Sequence, residues 1–189
     1  MSKKKERLLI FDLDGTLCDT KAVNYHAYRE ALEKYDYVLD YKYFCERCDG
    51  QYYKDFLPAI GVSDIEEQEK IHDIKKETYI HHIDKAIMND RLMGIIDAAK
   101  ETHYIAIVTT ASKKNTMELL NRFQVGAKFD LVLTREDVEK HKPDPEGFRI
   151  AMQHFGVLPE KTLIFEDSES GLKAAQASGA GYVKVFDFM

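Results

Sequence analysis

Short apolar runs alternate with longer amphipathic stretches along most of this chain. Runs rich in Ile, Val, Leu and Phe predict strands that are buried on both faces, at residues 8–11, 104–108, 162–165 and 182–186, with a weaker run at 131–133. The intervening stretches have helical spacing and are long enough to cross over a parallel sheet, at residues 91–102, 113–123, 144–155 and 168–178. This alternation predicts an α/β, doubly wound parallel-sheet core.

The long interval after the first strand does not follow this alternation. It contains no run typical of a buried strand, and its patterns predict helices at residues 20–35, 40–47, 52–60 and 63–83. Asp19 or Thr20 can cap the first of these helices, and Gly50 and Gly61 separate later ones. We therefore expect a small all-helical domain over residues 18–88, inserted into a core built from residues 1–17 and 89–189.

Composition narrows the possible partners. A chain of 189 residues that is 44% hydrophobic can form one full core with a smaller added module. Its formal net charge of -6 disfavours nucleic acid and anionic membranes as partners. A local positive pocket that binds a small anion is still compatible with this net charge. The apolar run at residues 8–13 is interrupted by Asp12 and is too short for a signal or membrane segment. We expect a cytoplasmic monomer.

The three cysteines fit a reducing compartment, because an odd number cannot all pair and a chain of this size does not need disulfides. Cys45 and Cys48 form a C-x-x-C pattern, but no second Cys or His pair follows at the spacing of a zinc site. We favour simple packing of reduced thiols over a metal or redox role.

Polar residues that can carry chemistry follow the predicted strands. In a doubly wound sheet the ligand crevice lies beyond the carboxyl ends of the strands, so these positions matter most. They are Asp12 and Asp14 after the first strand, Thr109 and Thr110 after the second, Lys142 in the loop after the weaker strand, and Glu166 and Asp167 after the fourth. Buried carboxylates this close together require a cation or a chemical task.

In chain order, these residues resemble the four motifs of the haloacid dehalogenase (HAD) superfamily. The matching segments are Asp-Leu-Asp-Gly-Thr at 12–16, Thr109, Lys142-Pro143 and Glu166-Asp167-Ser168. The helical insert is similar to the small C1-type cap of the phosphoglycolate phosphatase and β-phosphoglucomutase branch. The resemblance implies a Rossmann-like core and a magnesium-dependent phosphatase that acts on a small phosphorylated metabolite.

The resemblance also implies catalytic roles. Asp12 is expected to attack phosphorus and become an aspartyl phosphate. Asp14 is expected to protonate the leaving alcohol and then to take a proton from the hydrolytic water. Thr109, through its hydroxyl, Thr110, through its backbone N–H, and Lys142 are expected to bind the phosphoryl group, Lys142 also pairing with Asp12.

A metal site is implied by the same resemblance. Asp12, the backbone carbonyl of Asp14 and Asp167 are expected to bind Mg²⁺, with Glu166 beside them or bound directly. The cation would offset the repulsion among the carboxylates and neutralise phosphoryl charge. A haloalkanoate dehalogenase is disfavoured, because displacing halide from carbon needs neither the metal set nor a proton donor.

Substrate preference in capped relatives comes from the cap, and the candidates here are His26, Arg47, Gln51 and Lys54. Two other functions remain open beside a phosphatase. One is a sugar phosphomutase of the β-phosphoglucomutase type, although Asn24 stands where those enzymes have a cap histidine. The other is a non-catalytic protein that binds phosphorylated metabolites, which is less favoured because the full acid/base and metal set is present.

Overall fold

The computed structural model describes residues 5–186, and these form two compact units. The first, called the core unit, contains the chain up to Asp19 and from Met88 onward. The second, called the helical unit, is Thr20–Ile87. The sequence predicted an insert over residues 18–88, and its role as a cap stays a prediction.

The helices and strands alternate in the core unit and give way to helices in the insert. In chain order they are β1 (Arg7–Phe11), β2 (Cys18–Asp19), α1 (Lys21–Glu33), α2 (Tyr41–Arg47), α3 (Tyr53–Phe56), α4 (Ile65–Thr78), β3 (Ile87–Met88), α5 (Asp90–Ala99), β4 (His103–Val108), α6 (Lys113–Phe123), β5 (Leu131–Leu133), α7 (Glu146–Phe155), β6 (Thr162–Glu166), α8 (Glu169–Ser178) and β7 (Gly181–Lys184). None of the helices within residues 5–186 is long and apolar enough to cross a bilayer.

The core unit is built on a five-stranded parallel sheet with the order β5-β4-β1-β6-β7. β1 is central, and its last residue, Phe11, lies opposite Ile107 of β4 and Phe165 of β6. The Phe11 and Phe165 rings stack at 4.6 Å. Leu8 and Ile10 are fully buried, as expected for a strand covered on both faces. The carboxyl ends of β4, β1 and β6 therefore meet at one edge of the sheet.

The predicted α/β doubly wound core is confirmed, and its helices begin and end close to their predicted bounds. The burial predicted for the last strand is wrong, because β7 is an edge strand whose residues are exposed, with Tyr182 at 46% and Val183 at 41%. The short strands β2 and β3, which pair in a second sheet, were not predicted. Two residues are too few to produce an alternating pattern.

The helical unit has its own apolar core, which includes Phe44, Leu57 and Ile71. Its last predicted helix is divided, since α4 ends at Thr78 and a 3₁₀ helix follows at Tyr79–Lys85. α2 and α4 are capped by Asp40 and Asp64, whose carboxylates accept hydrogen bonds from backbone N–H groups three residues later.

The start of α1 and the C-x-x-C pattern complete the description of this unit. Thr20 precedes α1 without a side-chain cap bond, and its Oγ1 accepts a hydrogen bond from the Asn24 side chain instead. Cys45 and Cys48 are free thiols. Cys48 is part of the apolar core, and burial raises the pKa of its thiol to about 11, which makes it a packing residue with little thiolate character.

Candidate active site

Asp12 lies at the end of the central strand, where the chain leaves the sheet. Its backbone N–H donates to Phe165 O at 3.0 Å, which extends the ladder between β1 and β6 by one step. Its side chain is buried. Because β1 is flanked by β4 and β6, the carboxylate lies among the residues that follow those two strands.

Lys142 connects two buried carboxylates at this edge. Its Nζ donates to Asp12 Oδ1 at 2.5 Å and to Glu166 Oε1 at 2.6 Å. The lysine side chain is only 7% exposed, and its Nζ lies 5.3 Å from the centre of the Phe148 ring. A buried ammonium with two carboxylate partners is a costly arrangement, so its location at the end of three strands indicates a functional site.

Glu166 is held in place on its other side as well. Its Oε2 accepts hydrogen bonds from the backbone N–H of Ser168 at 2.9 Å and from Ser168 Oγ at 3.0 Å. Ser168 also caps α8, because its Oγ accepts from Gly171 N. A Cβ atom at position 171 would overlap the Glu166 carboxylate, so only glycine fits there. Both Glu166 oxygens are thus engaged within the protein.

Asp167 is positioned by the turn that follows β1. Its Oδ1 accepts a hydrogen bond from Thr16 Oγ1 at 2.8 Å. Gly15 has a φ of 85°, and a Cβ atom there would overlap the Asp167 carboxylate. Glycine is therefore required at position 15 both for backbone conformation and for space. These contacts hold the turn after β1, which follows Asp12, against the residue that follows β6, Asp167.

The electrostatics of the cluster reflect the crowding. Burial raises the pKa of Asp12 well above its ordinary value, and the charges of Glu166 and Asp167 add to this effect, while Lys142 opposes it. Burial and the Glu166 charge likewise raise the pKa of Asp167. Burial lowers the pKa of Lys142, but the two carboxylates outweigh burial and raise it. The site is thus one where added positive charge is favourable.

The threonines predicted to bind phosphate lie directly after β4. Thr109 is buried, its N–H donates to Leu133 O, and its Oγ1 accepts a hydrogen bond from Ala111 N at 3.0 Å. In this bond the hydroxyl acts as the acceptor, so its proton is not used. Thr110 is exposed.

Asp14, predicted to be the acid/base group, is half-buried in the turn after β1. The turn is closed by hydrogen bonds from Cys18 N to Leu13 O at 2.9 Å and from Gly15 N to Cys18 O at 2.8 Å. These backbone hydrogen bonds fix the conformation of the turn that carries Asp14, two residues after Asp12. Its catalytic role stays a prediction.

The residues of the predicted metal site are only partly brought together. Among residues 5–186 no group of three or more His, Cys, Asp or Glu side chains is placed to hold a metal ion. Glu166 contacts Lys142 and Ser168 instead. Binding of a cation by Asp12, Asp167 and the Asp14 carbonyl stays a prediction, and Mg²⁺ characteristically uses few protein ligands and keeps several waters.

The four specificity candidates belong to the helical unit and are described within it. Arg47 and Gln51 are exposed, at and after the last turn of α2. Lys54 pairs with Glu69 at 2.9 Å. His26 is half-buried, and burial together with the nearby Lys85 lowers its pKa.

Two supporting roles were not predicted from the sequence. Ser168 and Thr16 belong to the recognised motifs, but their bonds to Glu166 and Asp167 were not inferred. A serine at the start of a predicted helix is an available signal for a cap. Gly171, which has no side chain, leaves space for the Glu166 carboxylate.

Comparisons with known proteins agree with this architecture. A model of the haloacid dehalogenase-like hydrolase family matches residues 9–185. The chain is 29% identical to a phosphorylated carbohydrates phosphatase of Thermotoga maritima, over 90% of this chain and 81% of that protein. It is also 29% identical to pyrophosphatase PpaX of Bacillus velezensis, over 95% of this chain and 82% of that protein.

Comparison with solved structures shows the same fold. A β-phosphoglucomutase from Clostridium difficile superposes with a TM-score of 0.77 at 26% identity, covering 96% of this chain and 85% of that chain. The predicted family and fold are confirmed, and the phosphatase relatives support the predicted enzyme class, a phosphatase-type hydrolase. By its sequence and its fold, the chain belongs to the haloacid dehalogenase-like hydrolase family.

Proposed function

We propose that the protein is a magnesium-dependent phosphatase that hydrolyses a small phosphorylated metabolite through an aspartyl phosphate on Asp12. The observation that carries this proposal is the contact of buried Lys142 with both Asp12 and Glu166 at the carboxyl end of the sheet. A buried ammonium at that place would stabilise the negative charge of a phosphoryl group during transfer.

The first chemical step is assigned to Asp12 and Asp14. An oxygen of Asp12 attacks phosphorus, and the bond between phosphorus and the leaving oxygen breaks while Asp14 delivers a proton to that oxygen. Lys142, which donates a hydrogen bond to Asp12, opposes the rise in the pKa of this carboxyl group and orients it for attack. In the second step a water attacks the same phosphorus and gives a proton to Asp14, while the bond between phosphorus and the Asp12 oxygen breaks. This releases inorganic phosphate and the free Asp12 carboxylate.

Binding of the phosphoryl group is assigned to the turn after β4. Thr109 Oγ1 already accepts a bond from Ala111 N, so its proton is directed elsewhere and can be donated to a phosphoryl oxygen. The Thr110 backbone N–H adds a second donor. Together with Lys142 these groups would hold three oxygens in place while Asp12 attacks.

Magnesium is assigned to Asp12, Asp167 and the backbone carbonyl of Asp14. The donor chemistry fits, since all three are hard oxygen ligands and the pKa values of both carboxyl groups are raised in a crowded, buried cluster. When bound, the ion would neutralise charge on the carboxylates and on the phosphoryl oxygens.

The substrate class is proposed from the relatives. One acts on phosphorylated carbohydrates and another is a pyrophosphatase, so a small phosphorylated metabolite is the shared description. We assign its selection to the helical unit, with His26, Arg47, Gln51 and Lys54 as candidates. Substitution of exposed Gln51 by Ala would then change the ranking of substrates by KM and leave kcat for the preferred phosphate ester similar.

A screen of phosphorylated sugars, nucleotides, short acids and pyrophosphate with Mg²⁺ tests the proposal. We expect phosphate release from at least one compound, with loss of release in EDTA and in Asp12→Asn. Absence of release from every compound, or full release in chelator, would contradict it.

The structural likeness to β-phosphoglucomutase favours one second candidate, a sugar phosphomutase. Both enzymes form the same phosphoryl-Asp12, and only the acceptor in the second step differs. Asn24 cannot replace the mutase histidine as an acid/base group, because its amide does not exchange protons as an imidazole does. Its side chain donates a hydrogen bond to Thr20. We therefore favour water as the acceptor.

Labelled water separates the two candidates. In ¹⁸O-water a phosphatase releases labelled phosphate at the rate of substrate loss and needs no bisphosphate. Isomerisation of β-glucose 1-phosphate that is faster than phosphate release, and that depends on a bisphosphate, would establish the mutase.

A further inference from the structure

A small cavity lies in the core unit next to Lys142. Its volume is about 10 Å³, close to the smallest space that holds one water molecule. Its lining includes Thr109, Thr110, His141, Lys142, Asp144 and Phe148. The cavity thus has contributions from both segments that are proposed to contact the phosphoryl group, the turn after β4 and the loop after β5.

His141 presents an unsatisfied atom in this region. Its Nδ1 is buried and has no hydrogen-bond partner among the described residues. Buried polar atoms in folded proteins are almost always paired with protein or with ordered water. The other buried side-chain atoms without a partner in the described chain lie on α6, and none of their residues lines this cavity.

The loop that carries His141 is held rigidly by its own hydrogen bonds. The His141 carbonyl accepts from Asp144 N at 3.0 Å, and Asp144 Oδ1 accepts from Glu146 N at 3.0 Å. Glu146 in turn accepts from the backbone N–H groups of Glu139 and Lys140. These hydrogen bonds fix the backbone on both sides of Lys142, which directly follows His141 in the chain.

We propose that His141 is a positioning residue of the active site. Its Nδ1 binds one water in the cavity, that water also contacts the turn Thr109–Thr110, and the link sets the separation between this turn and Lys142. The ring itself touches neither the phosphoryl group nor the reacting atoms. This inference rests on the proposed function, since it assigns a purpose to the distance between the phosphate-binding turn and the lysine.

Two substitutions at position 141 distinguish a hydrogen-bonding role of the side chain from a role in which it only fills space. His141→Asn keeps a polar atom near the position of Nδ1, whereas His141→Leu fills similar space without one. His154→Leu is the matched control, because His154 is exposed on α7 in the same unit. For each variant, p-nitrophenyl phosphate turnover with Mg²⁺, inhibition by inorganic phosphate, calorimetric binding of inorganic phosphate and thermal unfolding are measured.

We expect His141→Leu to weaken phosphate affinity and lower kcat/KM by about tenfold, with a melting temperature close to that of the wild type. His141→Asn should remain within about threefold of the wild type, and His154→Leu should be indistinguishable from it. Wild-type behaviour of His141→Leu, or equal losses in the Asn and Leu variants, would overturn the inference.

The two proposals can fail separately. If the wild type hydrolyses no phosphate ester, the proposed function fails, and the calorimetric comparison still judges His141 through binding of inorganic phosphate. A wild type that is active and a His141→Leu variant that binds phosphate equally well leave the proposed function intact and overturn the role of His141.

Discussion

The carboxylate of Glu166 occupies the space next to Gly171 that the Cβ atom of any other residue at position 171 would need. This relationship links the first turn of α8 to the end of β6. Because the same carboxylate accepts a hydrogen bond from Lys142, the absence of a side chain at position 171 determines where the lysine can lie. Position 171 is thereby linked through Glu166 to Lys142, the proposed phosphate-binding lysine.

We expect Gly171→Ala to disturb the active site. Alanine is a better helix former than glycine by about 1 kcal/mol, but overlap with a fully buried carboxylate outweighs this gain, and we expect a net destabilisation of about 2 kcal/mol. Displacement of Glu166 and Lys142 should lower kcat/KM at least about tenfold. Urea denaturation and steady-state kinetics measure the two effects.

The control for this variant is Gly94→Ala. Gly94 lies on α5, and a Cβ atom there would meet nothing within 4 Å. That substitution should stabilise the protein by up to about 1 kcal/mol and leave activity unchanged. If Gly171→Ala behaves like Gly94→Ala, Glu166 does not need its observed position.

Lys142→Ala is predicted to affect both stability and catalysis. Loss of the ammonium group leaves Asp12 and Glu166 buried together without a cation, which typically lowers the free energy of unfolding by about 3–5 kcal/mol. The two carboxylates can reduce the cost by taking up a proton, so the destabilisation should be smaller at pH 5 than at pH 8. Turnover should fall for every substrate, because the missing charge acts on the phosphoryl group common to all of them.

A surface lysine supplies the comparison for Lys142. Lys161 pairs with Glu6 at 3.1 Å, but both side chains are well exposed. Lys161→Ala should change neither stability nor turnover measurably. A Lys142→Ala variant that only alters the preference among substrates would show that the lysine does not act on the shared phosphoryl group.

The sheet and the residues at its edge were predictable from local pattern. Apolar runs identify β1, β4 and β6, and the parallel order of a doubly wound sheet places the residues after them together. Asp12 and Glu166 therefore could be assigned to one edge before their contacts were known. β7 was misjudged because apolar composition does not reveal that a strand lies at an edge with exposed faces.

The contacts between side chains were harder to predict from the sequence than the positions of the residues along the sheet edge. The bond between Thr16 and Asp167 joins residues 151 positions apart, and nothing in either segment alone indicates which oxygen meets which hydroxyl. The overlap between Gly171 and Glu166 depends on how closely α8 approaches β6. Such distances result from packing of the whole core and have no periodic signal in the sequence.

Asp12→Asn is predicted to abolish turnover and to retain the fold. An amide cannot form the acyl phosphate, so kcat should fall at least about 10³-fold. The substitution also removes one charge from a crowded cluster, and Lys142 keeps Glu166 as a partner, so circular dichroism and the melting temperature should stay close to those of the wild type. Activity within about tenfold of the wild type would exclude Asp12 as the nucleophile.

The stabilising effect of Mg²⁺ is predicted to increase with pH. Asp12 and Asp167 have raised pKa values in the folded protein, so the folded state holds their protons more tightly than the unfolded chain does. Without a cation, stability should therefore decrease as the pH rises through these raised values. If Mg²⁺ binds the ionised carboxylates as proposed, it should reverse the loss, raising the melting temperature by about 5–10 °C at pH 8 when free Mg²⁺ is about 100 times its Kd.

The rise in melting temperature on adding Mg²⁺ is also measured at pH 5 and in Asp167→Asn. These two measurements decide whether binding to the carboxylates causes the rise. At pH 5 protons compete with Mg²⁺ for the carboxylates, so the thermal shift should be smaller. Asp167→Asn removes one proposed ligand and should lose most of the shift at pH 8. Asp14→Asn should keep it, because only the backbone carbonyl of Asp14 is assigned to the ion. Equal shifts at both pH values, or a full shift in Asp167→Asn, would place the cation elsewhere.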